Sequence, residues 1–173
     1  MRAQALWKIA AADWVDLFGR LIALLTDYGI RFCMVGDHAI NAYVEPLLGR
    51  DLDVVIALDQ FVEAERLLRG TFTVESLPQS LNVTMPGSDL RVQIQTDPRC
   101  APFVDRAESR DVLGVRLPVA RLQDVLQGKV WAVTDPTRPP SKRQKDLADI
   151  ARLLEARPTL RQHVPPEVLS MLL

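Results

Sequence analysis

Two carboxylates at the head of an apolar run constrain this chain most: Asp51-Leu52-Asp53, followed by Val54-Val55-Ile56-Ala57-Leu58. Alternate side chains of a strand share a face, so Asp51 and Asp53 point the same way. Like charges held that close call for a cation or a hydrogen-bond donor. A hard cation such as Mg²⁺ takes carboxylate oxygens and keeps waters that substrate phosphates can replace. The apolar run reads as a strand buried on both faces, which sets the acids at the lip of a rigid element. A lone Asp-x-Asp also describes a turn or a solvated strand end. Upstream, Arg31-Phe32-Cys33-Met34-Val35 reads as a strand, Gly36 as a turn and Asp37 to Tyr43 as a short helix. The free N–H groups and positive dipole end at such a helix start suit phosphate oxygens.

The order Val35-Gly36-Asp37, a spacer, then Asp51-Leu52-Asp53-Val54 resembles the signature of the nucleotidyltransferase superfamily, with its polymerase-beta-like fold. The resemblance implies that the turn at Gly36 receives a nucleoside triphosphate and that Asp51 and Asp53 bind Mg²⁺. Asp37 stands where that family usually has Gly or Ser, and an acid there repels a triphosphate. Two-metal phosphoryl transfer draws on a further acid to activate the attacking hydroxyl, and the family supplies it from a later strand. Here that strand is Leu90 to Asp97, in which Arg91, Gln93, Gln95 and Asp97 alternate onto one face. The expected acid position holds Gln93 or Gln95, and Gln is neither a general base nor a strong Mg²⁺ ligand. Either Asp97 takes over as the third catalytic carboxylate, or the chemistry is weakened or absent. Gln93 and Gln95 also suit the solvated face of an edge strand.

A second block lies near the C-terminus: Gly128-Lys129-Val130-Trp131-Ala132, then Lys145-Asp146-Leu147-Ala148-Asp149-Ile150. Such charges describe a solvated helix with i,i+4 pairs, or cations aimed at phosphates. The two segments resemble the C-terminal part of abortive-infection type toxin–antitoxin nucleotidyltransferases. That resemblance implies that Lys129, Lys145 and Asp146 face the nucleotide and that a cognate toxin or antitoxin protein is a partner. His38, beside the turn, reads as a hydrogen-bond donor to phosphate or base, or as a residue satisfying local backbone groups. Arg50 reads as a guanidinium fork for phosphate, or as the ion-pair partner of Asp51 or Asp53.

The 173 residues suit one structural unit, divided as a core with an N-terminal helix over 1–120 and a helical segment over 121–173. Helices are expected over 3–28, 60–69, 122–133 and 141–156, and strands over 71–76, 81–85, 90–96 and 115–119. Pro86-Gly87-Ser88-Asp89 marks a hairpin turn. The pattern is α+β: a small mixed sheet with helices packed on it. The net charge of −1 offers no global basic field for nucleic acid, so a tRNA contact would need a local patch. Cys33 and Cys100 read as two thiols in a reducing cytoplasm. No apolar run reaches the length of a membrane span, and no cationic-then-apolar leader is visible. The leading expectation is transfer of a nucleoside monophosphate from a Mg²⁺–nucleoside triphosphate to a hydroxyl of tRNA, protein or a small molecule. The alternative is a catalytically degenerate binding module of the same fold, acting as an antitoxin-like partner.

Overall fold

The structure, a computed structural model, describes residues 17–44, 51–112 and 114–172. Its backbone contacts group into two units, Met1–Cys33 with Gly49–Asp105, and Met34–Leu48 with Arg106–Leu173. Grouping in space therefore departs from chain order: among the described residues, 34–44 belong with the C-terminal helices.

In the first unit, helix α1 (Gly19–Asp27) buries Leu21 and Leu25. It closes at Gly29, whose φ of 66° permits the left-handed turn in which Ile30 N–H bonds the Leu25 carbonyl. The helix expected from residue 3 has its first part, 3–16, outside the described residues. Strand β1 (Phe32–Val35) begins here and is buried throughout. Strand β2 (Asp51–Ile56) carries the acids, and Leu52, Val54, Val55, Ile56 and Ala57 behind them are all buried. Leu58 departs from the expected run: it is 68% exposed and opens a short 3-10 turn, Leu58–Gln60. No side-chain cap closes the start of the following helix, and the Asp59 carboxylate pairs with Arg31 at 2.8 Å. That helix, α2, spans Phe61–Thr71 and runs through Gly70 rather than stopping there.

Strands β3 (Thr73–Leu77), β4 (Ser80–Thr84) and β5 (Arg91–Gln95) follow. The order β3-β4-β5-β2 has antiparallel pairs at β3–β4 and β4–β5, and a parallel pair at β5–β2. Gly87, at φ 84°, makes the expected turn between β4 and β5. The parallel register sets Asp51 beside Arg91, Asp53 beside Gln93 and Val55 beside Gln95. The face bearing the acids therefore also bears the three polar residues of β5.

In the second unit, Met34 of β1 pairs in parallel with Val119 of strand β7 (Val115–Val119). Strand β6 (Glu108–Val112) lies antiparallel to β7. Helix α3 (Gly36–Ile40) follows β1 directly and packs on α4 (Leu122–Thr134) and α5 (Pro140–Ala156), which also pack on each other. Helix α5 starts at Pro140, one residue before the expected 141, since proline's fixed φ and missing N–H suit a first helical turn. A 3-10 turn (Pro158–His163) and α6 (Pro166–Ser170) complete the unit. Mixed parallel and antiparallel strands with packed helices make this an α+β fold, as expected. Among the described residues, no helix is long and apolar enough to cross a membrane.

Candidate functional site

The β2–β5 face of the first unit holds the candidate metal ligands. Asp51 and Asp53 alternate with buried Leu52 and Val54, so both leave the core on the same side. Arg91 forks onto Asp51, Nε to Oδ1 at 3.0 Å and Nη2 to Oδ2 at 2.9 Å. Gln95 donates from Nε2 to Asp53 Oδ1 at 2.9 Å, reaching one step back along the face from its register partner. Gln93, the register neighbour of Asp53, donates to Asn82 Oδ1 at 3.1 Å. The hydrogen bond to Asp51 holds the Arg91 guanidinium above its ordinary pKa, with the charges of Asp51 and Asp53 adding to it.

Asp97 lies past the end of β5. Its carboxylate caps the 3-10 helix Pro98–Phe103, accepting from Arg99 N–H at 3.0 Å, and pairs with the Arg99 guanidinium at 2.7 Å. The side-chain bond from Arg99 holds the Asp97 carboxyl below its usual range. The residue beside Asp53 is thus Gln93. Arg50 lies outside the described residues. The cation seen on Asp51 is Arg91, which the alternation of β5 places on this face but to which sequence reasoning gives no role.

Among the described residues, no group of three or more His, Cys, Asp or Glu could hold a metal ion. Two carboxylates side by side are still a fit donor set for Mg²⁺, which takes one or two and fills its octahedron with water or phosphate oxygen. Asp51 is half-exposed, so such a set is open to solvent.

In the second unit, the glycine turn and the C-terminal lysines come together. Val35 is extended and Gly36 has φ 68°, a left-handed conformation that favours glycine. Asp37, next along, accepts from Lys129 Nζ at 2.9 Å on Oδ1 and from Lys145 Nζ on Oδ2. Lys129 also reaches Asp146 Oδ1 at 3.0 Å and Asp149 Oδ2 at 2.8 Å. Arg138 pairs with Asp146 at 2.7 Å, and Arg152 with Asp149 at 3.2 Å. Three carboxylates and four cations thus interlock across α3, α4, the 135–139 loop and α5.

This network accounts for the acid where the resembled family has Gly or Ser: lysines from two helices offset its charge. Lys129 is a buried hub, with its side chain 8% exposed, rather than a cation open to phosphate. Asp146 is buried with it at 2%. Lys145 is 61% exposed and keeps one side towards solvent. His38 is 1% exposed within α3, which leaves it no open face for a phosphate or base. Asp149, Arg138 and Arg152 carry much of the network without having been singled out. The signal available was Asp146 and Asp149, three residues apart on a helix whose other inward residues are apolar.

No family model and no curated protein matches the chain. Among solved structures it is similar to ANT(2")-Ia in complex with adenylyl-2"-tobramycin, at 12% identity and TM-score 0.55, over 86% of this chain and 97% of that one. It is similar to the lincosamide antibiotic adenylyltransferase LnuA, lincomycin-bound, at 10% identity and TM-score 0.53, over 79% and 95%. It is also similar to an antigenic nucleotidyltransferase-like protein from Paracoccidioides brasiliensis, at 13% identity and TM-score 0.52, over 83% and 88%. At these identities the likeness is one of backbone, and it is enough to assign this chain the nucleotidyltransferase fold.

Proposed function

We propose that this protein transfers a nucleoside monophosphate from a Mg²⁺–nucleoside triphosphate to a hydroxyl group, releasing pyrophosphate. One observation carries the reading: in a nucleotidyltransferase fold, β2 presents Asp51 and Asp53 on one face beside the parallel strand β5. These two residues would hold the Mg²⁺, whose chemistry is to neutralise charge on the triphosphate oxygens and polarise the phosphorus for attack. In the second unit, Gly36 would let a phosphate approach the backbone closely, and Lys145 would offer it a cation. Lys129 and Asp146 would act one step removed, fixing Asp37 and the start of α3. Asp97 is given no part in the reaction, because Arg99 and the helix cap hold its carboxylate.

Small-molecule hydroxyls head the acceptor candidates, since two of the similar structures are named for an adenylyl-antibiotic complex and an antibiotic adenylyltransferase. A tRNA end or a protein hydroxyl follows. The test incubates the protein with Mg²⁺ and each of the four α-labelled triphosphates, against aminoglycosides, lincosamides, bulk tRNA and cell lysate. Label should appear in one acceptor class and vanish with Asp53→Ala while the fold persists. Label transfer that survives Asp53→Ala removes the metal assignment, and no transfer with any triphosphate removes the reaction.

A second reading is favoured by one observation: both candidate third-acid positions are amides, one bonded to Asn82 and the other to Asp53. On that reading the chain keeps the fold without catalysis and serves as a binding partner, such as the antitoxin-like half of a toxin–antitoxin pair. Triphosphate binding without transfer to any acceptor, together with a stable complex with a partner protein, supports it.

A further inference from the structure

We propose that Arg91 is a cation resident on Asp51, holding the carboxylate that a divalent ion must take. The inference rests on the metal reading above and asks what holds that metal off. Arg91 engages both oxygens of Asp51 at 2.9–3.0 Å, so no lone carboxylate oxygen of Asp51 is left facing away from it. A forked guanidinium–carboxylate pair is the geometry that most resembles a metal–carboxylate clasp. The parallel register holds it there, since Arg91 and Asp51 are direct neighbours across β5 and β2.

Asp53 is engaged differently. Its visible partner on β5 is the Gln95 amide, a neutral group that can turn its carbonyl oxygen to the same place and become a ligand. Gln95 thus presents no charge against a divalent ion, whereas Arg91 does. The Arg91–Asp51 pair is also half-exposed, 40% and 46%, so water screens it and it can open. Once the metal has taken Asp51, the same guanidinium is left beside a metal that seeks phosphate oxygens, and a phosphate accepts the fork as readily as a carboxylate does. Metal and triphosphate should therefore bind better together than apart, with Arg91 changing partner between the two states.

The experiment titrates Mn²⁺ alone into the full chain, following the free ion by electron paramagnetic resonance, and repeats it with a non-hydrolysable triphosphate present. Arg91→Gln should bind Mn²⁺ alone about fivefold more tightly than wild type, and the gain from added triphosphate should shrink. Arg91→Lys, which keeps the charge and loses the fork, should fall between them, and circular dichroism confirms that each variant is folded. Asp53→Asn serves as the control for the location of the ion. If Asp53→Asn abolishes Mn²⁺ binding while Arg91→Gln leaves it unchanged or weaker, the role of Arg91 is overturned and the metal reading stands. If Asp53→Asn leaves binding intact, or no variant binds Mn²⁺, the metal reading falls and the role of Arg91 with it.

Discussion

Replacing Lys129 with Met tests the most deeply buried lysine or arginine among the described residues. The ammonium sits 2.9 Å from Asp37, 3.0 Å from Asp146 and 2.8 Å from Asp149, and the last two carboxylates are almost sealed from water. Methionine fills nearly the same volume, so the loss is electrostatic rather than a cavity. Removing one partner of a buried ion pair typically costs about 3–5 kcal/mol, because the partner charges stay buried. Three cations remain, Lys145 on Asp37, Arg138 on Asp146 and Arg152 on Asp149. They hold the expected loss near the lower bound, about 3 kcal/mol. For a chain of this size that corresponds to a melting point lower by about 6–12 °C. Urea denaturation and calorimetry both read it. Adding Asp149→Asn to Lys129→Met should restore part of the loss, since a buried carboxylate that has lost one of its two cations is then removed. A loss under about 1 kcal/mol, with no recovery in the double variant, would refute the view that Lys129 holds the network together.

Two further outcomes follow from β5 and its end. Gln93→Glu places a carboxylate beside Asp53, in register, and should tighten Mn²⁺ binding several-fold in the same titration; unchanged affinity would mean that the acid face is not where the ion sits. Asp97→Asn keeps an acceptor for the cap and loses the charge that Arg99 pairs with. The folded pKa of Asp97 lies below its ordinary 3.8, so its contribution is present above that value and is lost as pH falls through the folded one. Wild type should therefore exceed Asp97→Asn in stability by about 0.5–1 kcal/mol near neutrality, and the two curves should converge as the pH falls below 3.8 and through the folded value.

The acid strand was legible because its signals are local. Two acids at i and i+2, then a run of β-branched residues, specify both a strand and which face leaves the core, and β2 follows that pattern to its end at Ile56, with Ala57 still buried beyond it. Leu58 broke the pattern because a turn begins there, and nothing in a single apolar residue distinguishes the last strand position from the first of a turn. Strand β6 was missed for the opposite reason. Glu108-Ser109-Arg110-Asp111-Val112 has little apolar alternation, and its extended form is set by pairing with β7. The partners of Asp37 and Asp51 were not legible at all. Lys129 is 92 residues from Asp37 and Arg91 is 40 from Asp51, distances over which sequence spacing carries no geometric information. The motifs told which residues to watch; folding decided which cation each carboxylate would meet.

The bend at Gly36 has its own consequence. It adjoins directly the carboxylate that α4 and α5 grip together, so the loop seen at 135–139 behaves as a distant length control on that bend. Lengthening or shortening that loop would slide α5 along α4, carry Lys145 and Asp146 with it, and tug on Asp37. Engineers wishing to re-aim the turn should therefore edit the connection between the two late helices rather than the turn itself.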